Sequence, residues 1–150
     1  FLHPPKKNST KEFGFEIKNY LQNKISHDNL EFFHGELAKH INYNDLNIFT
    51  YLGTPYNQAM AANIPSLLYN NEKLNPLNKN YNFIFNLMLK NNLIYNDPKD
   101  LINHLNDVSY SLSSWWNSKK VINAKNMFCN KFATRFYTTE KLKEAIFNKE

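Results

Sequence analysis

The segment T-Y-L-G-T-P-Y-N-Q-A-M-A-A-N-I-P, Thr50 to Pro65, changes its periodicity twice. Leu46 to Leu52 carries β-branched and aromatic residues and closes on a Gly-Thr-Pro turn signal, the pattern of a strand. Pro55 to Asn63 is helical by its Ala and Met content. Pro65 to Tyr69, P-S-L-L-Y, resumes as a strand, and its leading Pro costs no ladder bond at that position. Strand, tight turn, helix and strand make one crossover unit, and the rest of the chain is read outward from it.

Toward the amino end, Leu30 to Phe33 is a short strand candidate that runs into His34-Gly35. Glu36 to Asn42 then reads as a helix burying Leu37 and Ile41. Further upstream, Ser9-Thr10-Lys11-Glu12 has the form of a capping box, and Phe13, Ile17, Tyr20 and Leu21 follow at helical spacing, in a helix that ends before Ser26.

Toward the carboxyl end, Asn80 to Asn91 is apolar on nearly all sides, as a helix buried against a sheet would be. Leu93 to Tyr95 is a fourth short strand. Asp97-Pro98-Lys99-Asp100 is a strong helix start, with an Asp cap and Pro in the first helical position, and Leu101, Ile102, Leu105 and Val108 give its buried face. The remainder reads as helical. One helix or a broken pair runs from Ser113 to about Ala133, with Val121, Ala124, Phe128 and Phe132 on one side, and Thr139 to Asn148 follows.

Strands separated by helices, without a hairpin signal, imply right-handed crossovers and a parallel sheet covered on both faces. The expectation is an α/β, Rossmann-like single domain over residues 1–150 with a helical tail over 111–150.

Composition agrees with one folded domain. A chain of 150 residues with 42% hydrophobic and 15% aromatic content can bury a core and lies outside the disordered class. The many Asn read as codon bias rather than a prion-like tract, because aliphatic and aromatic residues interrupt them. The net charge of +5 is spread along the chain as Lys, with Arg135 the only Arg. That spread is a solvated surface rather than the clustered, Arg-rich footprint of a nucleic-acid reader, so no nucleic-acid partner is expected. The single cysteine, Cys129, excludes an internal disulfide and suits a reducing cytoplasm, the expected location. No apolar run approaches the roughly 20 residues of a membrane span, and no signal peptide is visible. The start on Phe1 leads to the expectation of a processed terminus or the carboxyl-terminal part of a longer protein.

In open parallel sheets, ligands bind beyond the carboxyl ends of the strands. That rule selects two loops, His34-Gly35-Glu36 as a nucleotide-loop candidate and Gly53-Thr54-Pro55. At the second, Gly53 lets a ligand approach the backbone, Thr54 offers a hydroxyl, and the following helix points free N–H groups and its positive dipole end at the same space. An anion such as a diphosphate suits it; the same residues are also an ordinary strand-to-helix turn. Gln58 lies one position beyond the capping-box place, held by Asn57, so its side chain either faces the crevice or sits on a solvated surface. His3, His27, His34, His40 and His104 show no His-x-x-x-His spacing, and no metal is expected. Cys129, beside Phe128 and Phe132, reads as packing. Trp115 and Trp116 point about 100° apart on a helix, one toward the core and the other toward a neighbouring domain or partner.

Three blocks, G-T-P-Y-N-Q-A-M-A-A-N-I-P-S-L-L-Y, F-N-L-M-L-K-N-N-L-I-Y-N-D-P-K-D-L-I-N-H-L-N and S-S-W-W-N-S-K-K-V-I-N-A-K-N-M-F-C-N-K-F-A, resemble the carboxyl-terminal half of a family of bacterial transferases for surface-carbohydrate synthesis of the LPS/O-antigen type, similar to glycosyltransferases of the GT-B fold. Upstream, E-F-G-F-E-I-K-N-Y-L resembles the family's aromatic helix, although the family usually has Tyr before that Gly and Trp after it. The likeness covers roughly Glu12 to Ala133.

The resemblance implies a nucleotide-sugar donor bound on this domain, with Gly53, Thr54 and Tyr56 at the donor phosphates. It places Gln58 at the ribose hydroxyls, where the family more often has Glu, and Gln weakens charge-assisted binding there. It implies no cofactor beyond the nucleotide-sugar substrate. The implied partners are a missing amino-terminal domain, toward which the terminal helices pack and which usually brings acceptor and catalytic base, and a lipid-linked acceptor that would give peripheral membrane association. A chain without its catalytic base would bind donor and turn nothing over. Two other readings share these residues: a nucleotide-sugar epimerase of the same fold, and a non-catalytic Rossmann-like interaction module that docks a partner through an exposed Trp pair.

Overall fold

The computed structural model describes Lys24 and residues 40–133. The chain divides into two compact units, Phe1–His40 and Ile41–Glu150, and the elements that follow belong to the second. The expected helix from Ser9, the strand Leu30 to Phe33, the loop His34-Gly35-Glu36 and the helix Thr139 to Asn148 lie outside the described residues.

In chain order the elements are β1 (Asn47–Phe49), α1 (Thr54–Ala61), β2 (Ser66–Tyr69), a 3-10 turn (Lys79–Tyr81), α2 (Asn82–Lys90), β3 (Ile94–Tyr95), α3 (Pro98–Val108), α4 (Leu112–Trp116) and α5 (Lys119–Phe132). The sheet order is β1-β2-β3 and both pairs are parallel, with Asn47 opposite Ser66 and Leu68 opposite Ile94. The strands are shorter than the sequence pattern suggests. Beyond the last paired residues, the Asn70 N–H still donates to the Tyr95 carbonyl at 2.7 Å.

Leu67 and Leu68, neighbours on β2, are both fully buried. Successive strand residues point to opposite faces, so the central strand is covered on both sides, as parallel sheets require. One face carries the main core, where Leu68 and Ile94 meet Tyr56 and Met60 of α1, Phe85 and Met88 of α2, and Phe128 of α5. The Tyr56 ring is held edge-on between Phe49 and Phe128, 5.5 Å from each. The other face is covered by α3, where Leu101 joins Leu67 and Tyr95.

Helix starts follow the sequence closely. Asp97 caps α3, its carboxylate accepting from the Lys99 N–H at 2.7 Å, with Pro98 in the first turn. The stops were less visible. At the end of α1, Asn63 adopts φ 58°, Ile64 N–H donates to the Ala59 carbonyl and Asn63 N–H to Met60. At the end of α2, Asn92 adopts φ 60°, with Leu93 N–H to Met88 and Asn92 N–H to Leu89. Both are Schellman stops with Asn in the left-handed position usually held by Gly.

Two packing expectations need correction. On α3 the buried residues are Leu101, His104 and Val108, whereas Ile102 is 55% exposed. On α2 only one side is buried, with Phe83 60% exposed, because the helix packs chiefly along α5. Of the two readings of the later helical region, one helix or a broken pair, the broken pair is present, parted between Trp116 and Lys119, and α5 buries Val121, Ala124 and Phe128 as its spacing predicts.

Candidate active site edge

Because the three strands are parallel, the segments that follow them open on one edge: Thr50 to Gly53 after β1, Asn70 to Asn78 after β2, and Asn96-Asp97 after β3. Gly53 caps α1 in an extended conformation, φ −141° and ψ −179°, which any residue adopts. Its lack of a side chain matters for another reason. The ring of Tyr51 lies against the Gly53 α-carbon, and a Cβ there would overlap ring atoms Cε2 and Cδ2. The close approach expected of a ligand is thus made by Tyr51 itself.

The first free donors of α1 are the N–H groups of Thr54 and Tyr56. Pro55 has none, and Asn57 N–H already donates to the Gly53 carbonyl at 3.1 Å. Thr54 is exposed, and Gln58 is exposed on the same helix. Tyr56 contributes only its backbone to this edge, since its side chain is fully buried and its hydroxyl has no hydrogen-bond partner. Burial pushes that phenol far above its ordinary range, with a smaller contribution from Cys129.

Two clefts flank the sheet. One, about 450 Å³, is lined by Tyr51, Leu52, Asn70, Tyr81 and Phe85 among others; its described lining holds no Asp, Glu or His, and none of Gly53, Thr54, Tyr56 or Gln58. The other, about 560 Å³, lies along β3 and α3 and is lined by Asp97, Asp100, His104 and Asp107. The acidic lining of the second repels an anionic ligand, whereas the described lining of the first carries no charge.

His104 is buried beside the acidic cleft. Its Nδ1 lies 3.5 Å from the Asn92 Nδ2, its Nε2 has no partner, and its ring meets Trp115 at 4.8 Å. Burial lowers its pKa, with Asp107 opposing. Burial likewise raises the Tyr95 phenol, reinforced by Asp100, and that hydroxyl donates to the Asn92 carbonyl at 2.9 Å. Among the described residues no group of His, Cys, Asp and Glu is arranged to hold a metal ion.

The Trp pair is not an exposed docking surface. Trp116 is buried and donates from Nε1 to the Asn63 carbonyl at 3.2 Å; Trp115 is half-buried between His104 and Trp116 and touches both core clusters. Cys129 is half-buried against the main core. Sequence reading passed over Tyr51 and Asn70. The edge rule that picked out Gly53 applies equally to the segment after β2, but Asn70 is one Asn among many and no Gly marks it.

In open parallel α/β units ligands bind beyond the carboxyl ends of the strands, the edge on which Gly53 and the segment after β2 lie. The chain belongs to the LIC12162 family of transferases, whose model matches residues 5–147. Comparisons with curated proteins and with solved structures return no match. No helix among the described residues is long and apolar enough to cross a membrane.

Proposed function

We propose that this transferase chain is the donor-binding half of a glycosyltransferase of GT-B-like, Rossmann-type architecture, taking a nucleotide-sugar for surface-polysaccharide synthesis. The observation that carries the reading is the start of α1 at Gly53, on the carboxyl edge of the parallel sheet and directly after Leu52, which lines a cleft with no carboxylate among its described residues. There the Thr54 and Tyr56 N–H groups and the Thr54 hydroxyl would hold the diphosphate, and the exposed Gln58 carboxamide would bond a ribose hydroxyl.

The reaction is a displacement at the anomeric carbon. An acceptor oxygen forms the new bond while the bond to the diphosphate breaks, and the charge that develops on the leaving group meets the positive end of α1. None of the described side chains lining the cleft is a carboxylate or imidazole, and the proton acceptor is assigned to another part of the protein.

Titration of the isotope-labelled chain with uridine and guanosine diphosphates tests this. Amide shifts concentrated between Gly53 and Gln58 are expected. Shifts confined to other regions, or none, remove the donor reading.

A further inference from the structure

Asn70 follows β2, the central strand, and is fully buried. Its Nδ2 donates to the Asn75 carbonyl at 3.1 Å, while its Oδ1 is shut away from water with no partner. A buried acceptor without a donor costs about 1–3 kcal/mol, and folded proteins leave few such groups. Turning the carboxamide over does not help, because its oxygen would then face the Asn75 carbonyl and its NH₂ would be stranded.

The same residue lines the uncharged cleft of about 450 Å³, within the roughly 300–1,000 Å³ typical of small-molecule sites. The cleft's other walls mix four aromatic side chains with Leu52, Leu74, Pro76, Leu77 and two Asn. Tyr51 is 53% exposed, Phe85 stacks on Phe132 at 5.5 Å and 17°, and Tyr81 meets Phe132 edge-on at 5.1 Å.

We propose that this cleft is a nucleobase subsite, in which Tyr51 covers the ring and Asn70 Oδ1, enclosed in this structure, is uncovered as the ring seats and accepts a hydrogen bond from a base N–H. Each observation narrows the occupant. Four aromatic side chains, and no charged one among the described lining residues, favour a planar ring, whose stacking contributes about 1–3 kcal/mol per base. The stranded acceptor calls for a donor, which excludes a phosphate oxygen, and an aliphatic chain would leave Asn70 unsatisfied. The inference deepens the donor reading, from which it takes the identity of the ring-bearing ligand, and it makes Asn70 the residue that selects the base.

The test separates the two ends of the donor. The full chain is titrated with inorganic pyrophosphate and, separately, with uridine, cytidine, adenosine and guanosine, followed by NMR. At least one nucleoside is expected to shift the Asn70 side-chain amide and the Tyr51 and Tyr81 rings, while pyrophosphate shifts Thr54 and Tyr56. Pyrophosphate binding with no response of the cleft to any nucleoside overturns the subsite and leaves the diphosphate reading standing; the reverse pattern keeps the subsite and removes the other.

Variants add a second check. Tyr51→Ser, at a half-exposed position, is expected to weaken binding of the preferred nucleoside diphosphate at least fivefold and leave pyrophosphate unchanged. Asn70→Leu is expected to do the same and to change the preference among bases. Unaltered nucleoside diphosphate affinity in Tyr51→Ser, or in a folded Asn70→Leu, overturns the proposal.

Discussion

The side-chain oxygen of Asn63 accepts from the Nζ of Lys125 at 2.9 Å. Lys125 is buried, donates also to the Trp116 carbonyl at 3.0 Å and lies 3.8 Å from the centre of the Trp116 ring. The second residue past the end of α1 is thereby tied to α4 and α5. Lys125→Met keeps the stem and removes the donor, so it should lower stability by about 1–3 kcal/mol, the cost of stranding buried acceptors. Asn63→Gly keeps the left-handed backbone and Asn63→Ala does not, so the Ala variant should be the less stable by about 1–2 kcal/mol. Denaturant titration of the three variants measures both differences.

Gly53→Ala forces the Tyr51 ring away from the cap of α1 without straining the backbone. Overpacking of this kind costs about 1–3 kcal/mol, and the low end is expected because Tyr51 is half exposed. In a Tyr51→Ala background the cost of Gly53→Ala should vanish. A double-mutant cycle on melting temperature reads this coupling; equal costs in the two backgrounds would show that the ring contact is not why the position is Gly.

Tyr56→Phe removes a buried hydroxyl that has no partner, so stability should hold or rise by up to about 1 kcal/mol. Because only the Tyr56 backbone faces the helix start, nucleoside diphosphate affinity should not change. Tyr56→Ala opens a cavity in the centre of the main core and should cost about 3–5 kcal/mol.

His104 gives stability a pH dependence of definite sign. Its folded pKa is lowered by burial, so the unfolded chain binds the proton more readily than the native one. The neutral-state stability is complete above the ordinary histidine pKa of about 6.5 and declines as pH falls below it toward the lowered folded value. Unfolding free energies at pH 7.5 and 5.5 should therefore differ more in the native chain than in His104→Gln.

Gln58 is exposed and its bond to the Ala62 N–H is made by the backbone carbonyl, so Gln58→Ala should leave the melting temperature unchanged. If its carboxamide bonds the ribose, nucleoside diphosphate affinity falls about fivefold, the loss of one hydrogen bond of about 1 kcal/mol. Gln58→Glu should bind at least as well as the native chain, since a carboxylate makes the stronger charge-assisted bond.

What was legible in the sequence was local chemistry. Gly53-Thr54-Pro55 and Asp97-Pro98 mark helix starts because caps and Pro act within a turn, and α1, α3 and α4 begin within a residue of the expected places, whereas the start of α5 has no expected counterpart. The misplaced Ile102 was recoverable. Leu101, Leu105 and Val108 define a stripe on which position 104 falls and 102 does not, but a polar residue was passed over in favour of an apolar one. The reason for Gly53 was not recoverable, because the place of the Tyr51 ring depends on side-chain packing. Nor could spacing tell that Trp115 lies between His104 and Trp116, since α3 and α4 meet only in the fold. Asn70 lay within reach of the strand-end rule, and only its unsatisfied oxygen distinguishes it from its neighbours.

The asparagines that end α1 and α2 accomplish something glycine cannot. A chain with three Gly in 150 residues stops two helices with a residue that tolerates the left-handed turn and still carries a side chain. At Asn63 that side chain reaches the buried Lys125; at Asn92 it lies 3.5 Å from the buried His104. Punctuation and anchorage fall on the same residue, each Asn closing a helix and tethering it to a basic side chain on a different helix. A surplus of one amino acid, read from composition alone as coding habit, thereby supplies the latches between layers of the fold.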